Sequence, residues 1–219
     1  ACASGAPGIG GGQYGRYGTV TITGGTVTAT ATSATAIGNG AKADPGGCGI
    51  TITGGTVTAT GDEAAHGIGA GKGTLLISDA VVYAYGGHDD KSCGSGLHGN
   101  EVHISNAQVT AVGGKMLYGS GSPGIDSTGS LTIEASTVTA YSLEDHVAGI
   151  AGGCITLDAS DVTVTSGQYY NTISILAKDA AGVAIHGGVV TVAGAIGGTA
   201  DSVVTIRNGA KVSASAIRG

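Results

Sequence analysis

The sequence contains no phenylalanine and no tryptophan, and its 219 residues include only eight tyrosines and one methionine. Charged residues make up 11% of the chain, whereas about 25% is usual in soluble domains. A disordered chain would be poor in aliphatic side chains, but 41% of this chain is hydrophobic. With three prolines and no glycine period of three, collagen is excluded as well. A conventional core built on large aromatic rings is not expected.

Other absences exclude further classes of protein. No apolar run approaches the roughly 18 residues of a membrane span, so none is expected. The nine basic residues are scattered and the net charge is −6, which argues against a nucleic-acid partner. The four cysteines are far apart and form no C-x-x-C pair, so a zinc site has little support. They either form one or two disulfides in an oxidising compartment or are small buried residues: Cys2, Cys48, Cys93 and Cys154.

Glycine is abundant, with 44 residues, and it belongs to an internal repeat. The string TITGGTVTAT occurs at Thr21–Thr30 and again, unchanged, at Thr51–Thr60. Weaker copies follow, and the first aliphatic residue of each copy serves as a marker: Ile22, Ile52, Ile77, Ile104, Ile133, Leu157 and Ile206. The marker spacings are 30, 25, 27, 29, 24 and 49 residues. The last spacing is about two periods, so one coil is degenerate, and Val192 is the candidate for its marker.

Each copy contains two short alternating runs separated by two small or turn-forming residues. In the second copy Ile52, Val57 and Ala59 point to one side and the threonines to the other, which is typical of half-buried strands. A third, glycine-flanked element recurs between copies, near Ile9, Ile37, Ile68, Leu97, Ile125, Ile150 and Ile185. Each repeat of roughly 27 residues is therefore predicted to form a strand, a corner, a second strand, a loop, a short strand and a further loop.

Three short strands per turn is the plan of a right-handed parallel β-helix. We predict an all-β solenoid of about seven to nine coils, in which identical positions stack into ladders. The inward side chains would be the markers, a valine ladder (Val27, Val57, Val82, Val109, Val138, Val162 and Val212) and an alanine ladder (Ala29, Ala59, Ala84, Ala111 and Ala140). An antiparallel sandwich is the rival, but it gives no reason for identical residues at identical offsets. We interpret residues 1–219 as one β-helix domain, with 166–200 as an irregular coil or insertion.

The recurring ITGGTVTATG…GIGAG pattern resembles the glycine-rich β-helix repeats of bacterial cell-surface and secreted proteins. More loosely, it is similar to the pectate-lyase-like β-helix superfamily. The resemblance covers residues 8–165. It implies an extracellular or cell-surface scaffold or adhesin, but this fold also carries lyases, hydrolases and phage spikes.

The loops after the second strands carry most of the polar side chains, and stacking would bring them onto one edge. If the protein is an enzyme, a polysaccharide lyase or glycoside hydrolase, the candidate acid and base are among Asp89, Asp90, Glu144 and Asp145. No cofactor is predicted, although carboxylates such as these are also the ligands that Ca²⁺ prefers. The simplest alternative is that these loops are polar because they are solvated.

Three tyrosines lie at outward positions of the second strands. Together with two loop histidines they form the predicted ligand-binding set for a glycan: Tyr83, Tyr85, Tyr141, His88 and His146. Alternatively, the tyrosines pack under a long loop at 86–100. No metal site is predicted, since His98 and His186, which follow the aliphatic residue of a short strand, are in coils that are not adjacent.

These observations predict an extracellular β-helix scaffold or adhesin that binds glycans with its strand face and edge loops. The alternatives are the enzyme described above, an ice-binding protein that uses outward T-x-T ranks, and a stalk without a site. Neighbouring domains are expected to cap both ends, because open solenoid ends expose unpaired strand edges.

Overall fold

The computed structural model describes residues 5–11, 18–38, 49–90, 92–117, 120–144, 146–166, 172–198 and 201–218. Within these ranges the regular elements are all β-strands, and no helix is present. It follows that the described residues contain no helix that could cross a membrane. The strands form three parallel sheets, and each sheet takes one strand from each coil.

Strands are numbered in chain order, and the sheets are named by their place in the coil. Sheet I contains the eight first strands: β2 (Val20–Ile22), β5 (Ile50–Thr53), β8 (Thr74–Ser78), β11 (Glu101–Ser105), β14 (Ser130–Glu134), β17 (Cys154–Asp158), β20 (Val183–His186) and β23 (Val204–Arg207). Sheet II contains the eight second strands: β3 (Thr26–Ala31), β6 (Thr56–Gly61), β9 (Val81–Tyr85), β12 (Gln108–Val112), β15 (Thr137–Tyr141), β18 (Asp161–Thr165), β21 (Val189–Val192) and β24 (Lys211–Ser213). Sheet III contains nine short strands: β1 (Ile9–Gly10), β4 (Ile37–Gly38), β7 (Ile68–Gly69), β10 (Leu97–Gly99), β13 (Ile125–Ser127), β16 (Ile150–Gly152), β19 (Ile173–Ala177), β22 (Ala195–Gly198) and β25 (Ala216–Arg218).

The interior is filled by ladders of aliphatic side chains, one residue per coil, as the repeat predicts. Along sheet I, Ile52 pairs with Ile77 and Ile77 with Ile104. The valine and alanine positions pair in the same way along sheet II. The largest fully buried side chains are all isoleucine or leucine: Ile37, Ile50, Ile52, Ile68, Leu75, Ile77, Leu97, Ile104, Ile125, Leu131, Ile133 and Ile150. A core of such side chains needs no aromatic ring, which accounts for the absence of phenylalanine and tryptophan.

The structure supplies the register that the sequence pattern leaves open between residues 166 and 200. Ile185 pairs with Leu157 and Ile206 in sheet I, so it is the missing marker. Its prediction as a short-strand residue was wrong, and the candidate marker Val192 lies in sheet II opposite Val164. Inward positions of the short strands are taken instead by Ile175 and Ile196. Both kinds of strand need one buried aliphatic residue near glycine, so the local pattern alone does not distinguish them.

The corner between the first and second strands has a left-handed backbone in one coil after another. φ is +51° at Asp79, +47° at Asn106, and +45° at both Ala135 and Ala159. In other coils glycine occupies this position, as at Gly54, where φ is +105°. A residue with a Cβ atom adopts this conformation at a cost of about 1–2 kcal/mol, whereas glycine adopts it freely. The corner therefore explains part of the high glycine content.

The substitution Ala159→Gly is expected to stabilise the protein by about 0.5–1 kcal/mol, because it removes the strain of a left-handed alanine. The matched control is Ala184→Gly on the outer face of β20, where φ is not positive and glycine should cost a similar amount. Urea denaturation would measure both free energies of unfolding. Two changes of the same sign would contradict this account of the corner.

Candidate functional site

The loops that follow the second strands lie side by side along one edge of the solenoid. Asp89 forms a parallel bridge with Met116 of the next coil, and His88 forms an antiparallel bridge with Cys93. The backbone N–H of Lys115 also donates a hydrogen bond to Nδ1 of His88, over 3.4 Å. The Asp89–Met116 bridge and the hydrogen bond from Lys115 to His88 hold the loop of one coil against the loop of the next, whereas the His88–Cys93 bridge lies within one loop.

A cavity of about 320 Å³ opens between these loops, and it is lined by His88, Asp89, Asp90, Lys115, Leu117 and Leu143. The structure thus places His88, Asp89 and Asp90 around one cavity. It adds Leu117 and Leu143, which are 64% and 48% exposed. These two residues were not predicted from the sequence, although an apolar residue in a loop of glycine and polar residues is a signal that could have identified them.

A second cavity, of about 410 Å³, lies beside the first and shares His88 with it; its lining is Thr30, Ala31, Thr32, Thr60, Gly61, Asp62, Gly87 and His88. We call the two cavities together the edge groove. The groove takes residues from the ends of β3, β6, β9, β12 and β15, which belong to five successive coils. At the usual strand spacing, four steps between coils give a length of about 19 Å.

Glycine allows the backbones of neighbouring loops to approach closely at this edge. A Cβ atom on Gly87 would lie 2.3 Å from the carbonyl oxygen of Glu63, and one on Gly114 would lie 1.8 Å from the carbonyl oxygen of Gly87. The Gly114 N–H donates to the Gly94 carbonyl over 2.7 Å, and the Gly94 N–H donates to the Gly87 carbonyl over 3.0 Å. Backbone contacts between coils therefore shape the groove.

The predicted carboxylates are in different surroundings. Asp89 Oδ1 accepts a hydrogen bond from the backbone N–H of Asp90, over 2.6 Å. Glu144 Oε1 lies 3.5 Å from Nζ of Lys115, so these two side chains form an ion pair across neighbouring coils. Asp145 lies outside the described residues. His146 is exposed and lines neither cavity.

The three predicted tyrosines lie on the outer face of sheet II. Tyr85 is in register with Thr60 and Val112, and Tyr141 is in register with Val112, so these rings are two coils apart in one column. Tyr83 is 38% exposed, whereas Tyr85 and Tyr141 are half-buried. The column borders the edge groove, because Thr60 lines it and Tyr141 lies two residues before Leu143. The same tyrosines interrupt the outward T-x-T ranks on which ice binding would depend.

A second polar cluster lies on the outer face of sheet III and was not predicted from the sequence. The rings of His66 and His98 stack with their centroids 4.3 Å apart and their planes 8° apart. Nδ1 of His98 lies 3.4 Å from Oδ2 of Asp126, and Nζ of Lys178 donates to Oδ1 of Asp126 over 2.6 Å. The cluster therefore joins side chains from four coils.

Small residues in sheet III make room for this cluster. Gly69 is in register with His98, and a Cβ atom on it would lie 3.3 Å from Cδ2 of His66. Ala151 is in register with Asp126, and the Lys178 side chain reaches across its coil. One signal in the sequence could have indicated this cluster. His98 follows Leu97 in one coil, and Asp126 follows Ile125 at the equivalent position of the next coil. His98 and His186 were instead expected to occupy equivalent positions, but His186 lies in sheet I.

Two members of the cluster have strongly shifted pKa values. Burial, followed by repulsion from His98, lowers the pKa of His66 from 6.5 to about 3. The backbone N–H of Ser95 donates to Nδ1 of His66 over 2.9 Å, which also requires an unprotonated nitrogen. Burial alone would raise the pKa of Asp126, but His98 and the Lys178 ammonium group outweigh it and hold this pKa at about 2. At neutral pH the cluster therefore contains a neutral His66 and an ionised Asp126.

Neither a metal site nor a disulfide is found in the part of the chain that the structure describes. No group of three or more His, Cys, Asp or Glu side chains there could hold a metal ion. Cys93 and Cys154 are free thiols, and Cys93 donates a hydrogen bond to the carbonyl of Ser120 over 3.7 Å. Cys2 and Cys48 lie outside the described residues.

Comparison with known proteins agrees with the architecture. A family model described as a β-helix repeat matches residues 50–72, which span the complete coil formed by β5, β6 and β7. No curated protein and no solved structure matches the chain. The likeness to pectate-lyase-like proteins stays loose. The same three-strand unit recurs in register along all three sheets, and the chain is therefore a parallel β-solenoid built from β-helix repeats.

Proposed function

We propose that this β-helix scaffold is an extracellular module of a bacterial surface or secreted protein, in the manner of an adhesin, and that it binds a glycan along the edge groove. The observation that carries the proposal is the groove itself. Its two adjoining cavities of about 410 and 320 Å³ are within the size range of small-molecule sites, and they border a column of tyrosines on sheet II.

The lining of the groove suits a sugar chain. Leu117 and Leu143 expose apolar surface at one end, and the apolar face of a sugar ring can pack against such side chains. Asp62, Asp89 and His88 offer polar atoms to sugar hydroxyl groups. Half-buried tyrosines such as Tyr85 combine an apolar ring with a hydroxyl group that can form a hydrogen bond.

The scaffold also suits an extended ligand. Successive coils are about 4.8 Å apart, so a polymer lying along the solenoid meets side chains from a new coil at each step. The loops are held by hydrogen bonds between backbones, such as the one from the Gly114 N–H to the Gly94 carbonyl. A rigid groove loses little conformational entropy when it binds.

The substitution Leu143→Ser is expected to weaken glycan binding about tenfold, which corresponds to about 1.4 kcal/mol, and to leave the melting temperature nearly unchanged. A glycan array would identify ligands for the wild-type protein, and titration calorimetry would compare the variants. Val203→Ser is the matched control, because Val203 is also an exposed aliphatic residue, at 57%, but lies before sheet I, away from the groove.

Two results would change the proposal. If no glycan binds the wild-type protein, or if both variants bind equally well, the groove is not a glycan site. If a bound polysaccharide is cleaved and Glu144→Gln abolishes the cleavage, the groove is catalytic. The observation that favours this second candidate is that Asp89 and Lys115 line the same cavity and Lys115 forms an ion pair with Glu144, so that three successive coils contribute ionisable groups to this region.

A further inference from the structure

The described side chains that line the edge groove carry an excess of negative charge. Asp62 lines one cavity, and Asp89 and Asp90 line the other. Lys115 is the single cationic side chain among the described residues that line the groove, and the carboxylate of Glu144 neutralises it at 3.5 Å. No ion pair between described residues neutralises the three aspartates.

His88 lies at the junction of the cavities, and its Nδ1 accepts a hydrogen bond from the Lys115 N–H. The carboxylate of Asp89 is held beside it, since Oδ1 accepts from the Asp90 N–H. A carboxylate therefore lies next to the residue that the two cavities share.

We infer that the groove binds a glycan bearing free amino groups in preference to a neutral one, and that it rejects glycans built from uronic acids. The inference rests on the proposed function, because it names the class of glycan that the same groove takes. Carboxylates on the walls of a cleft focus a negative potential into it. An anionic sugar would meet like charges there, and such repulsion is an effective source of specificity.

The arrangement of the groove agrees with an amino sugar. Asp62 follows β6 and Asp89 follows β9, so two neighbouring coils each contribute a carboxylate to the groove. Ammonium groups on different sugars of one chain can then pair with carboxylates of different coils. The exposed Leu117 and Leu143 lie beyond the aspartates, where they can support the apolar face of a ring that carries no charge.

The test compares three oligosaccharides of equal length: oligomers of glucosamine, the same oligomers fully N-acetylated, and oligomers of galacturonic acid. The acetylated and deacetylated oligomers share a backbone and differ in charge and in the acetyl group. Dissociation constants are measured by calorimetry at about pH 6, where the amino groups are protonated, at about 50 mM and about 500 mM salt. We expect the glucosamine oligomer to bind at least tenfold more tightly than the acetylated one at low salt, and to lose most of that advantage at high salt.

The double variant Asp89→Asn/Asp90→Asn keeps the shape of the loop, since an asparagine oxygen can still accept from the residue 90 N–H. It should lower the affinity for the glucosamine oligomer about tenfold more than the affinity for the acetylated oligomer, so that the preference for free amino groups is lost. Asp158→Asn is the matched control, because Asp158 is an exposed carboxylate on sheet I, away from the groove. It should leave all the dissociation constants unchanged.

The possible results separate this inference from the function on which it rests. Equal or tighter binding of the galacturonic acid oligomer overturns the inference but leaves glycan binding in place. So does a preference for the acetylated oligomer, or an affinity for glucosamine that salt and the double substitution do not change. If none of the three oligomers binds, and a glycan array also finds no ligand, the proposed function itself fails.

Discussion

Replacing Ile104 with alanine is expected to lower the free energy of unfolding by about 2–5 kcal/mol. Its side chain is fully buried and stacks in register between Ile77 and Ile133. Removing it would leave a cavity between two coils. The coils cannot move together to fill this cavity, because the hydrogen bonds of the sheets fix the spacing between their strands. Urea denaturation followed by circular dichroism would measure the loss.

Ile206→Ala provides the matched control, since Ile206 belongs to the same ladder in the last described strand of sheet I. Its side chain is 39% exposed and pairs with Ile185 on one side. The expected loss is less than half of that at Ile104. The substitution removes less buried apolar surface at Ile206 and leaves no enclosed cavity. Equal losses at the two positions would contradict the assignment of this ladder as a continuous core.

The stability of the protein is expected to fall as the pH drops from 6.5 to about 3, by on the order of a few kcal/mol from His66 alone. In the unfolded chain His66 takes up a proton near pH 6.5, but in the folded protein its pKa is about 3. Between these values the unfolded state binds more protons, so acid favours unfolding. Asp126, whose pKa of about 2 lies below its usual 3.8, adds a further loss below about pH 4.

The variant His66→Phe keeps a planar ring against His98 and cannot be protonated. Its free energy of unfolding should therefore depend less on pH than that of the wild-type protein between pH 6.5 and 3, with the two curves parallel above pH 7. Thermal or urea denaturation at a series of pH values would give both curves. Curves that stay parallel down to pH 3 would show that His66 does not resist protonation in the folded protein.

The register of the coils could be predicted where alternation and corner residues recur together. Ile52, Val57 and Ala59 share their offsets with Ile77, Val82 and Ala84, and the structure pairs them in that order. Corners could be recognised for the same reason, because a left-handed backbone restricts the residue that occupies it. At Gly55 the restriction is also steric, since a Cβ atom there would lie 2.4 Å from the carbonyl oxygen of Gly25.

The prediction was wrong at Ile185 because two different strands of the coil need the same local pattern. A buried aliphatic residue next to glycine suits both sheet I and sheet III. The choice between them depends on which residue forms the short strand of that coil. Ile175 pairs with Ile150 in sheet III, so Ile185 belongs to the strand of sheet I that follows. Such long-range competition for a pairing position is not visible in a window of a few residues.

The candidate site was predicted in part for similar reasons. His88, Asp89 and Lys115 follow their strands at comparable offsets, so stacking alone brings them together. Leu117 and Leu143 could not be predicted as lining residues, because loop contacts set the direction of a loop side chain. Lys178 contacts Asp126 across an intervening coil. This contact could not be predicted from sequence spacing, because it depends on how far and in which direction the lysine side chain extends.

By itself, the sequence determined the all-β class, the three-strand coil, the inward ladders and the positions of the corners, since each depends on a local pattern that the chain repeats many times. Only the tertiary structure decided which strand Ile185 forms, where the edge groove lies, and how His66, His98, Asp126 and Lys178 come together. The physical reason is that solenoid coils contact one another at residues some 21 to 31 positions apart. Loop lengths and the space left by single glycines, as at Gly69, then decide which side chains meet.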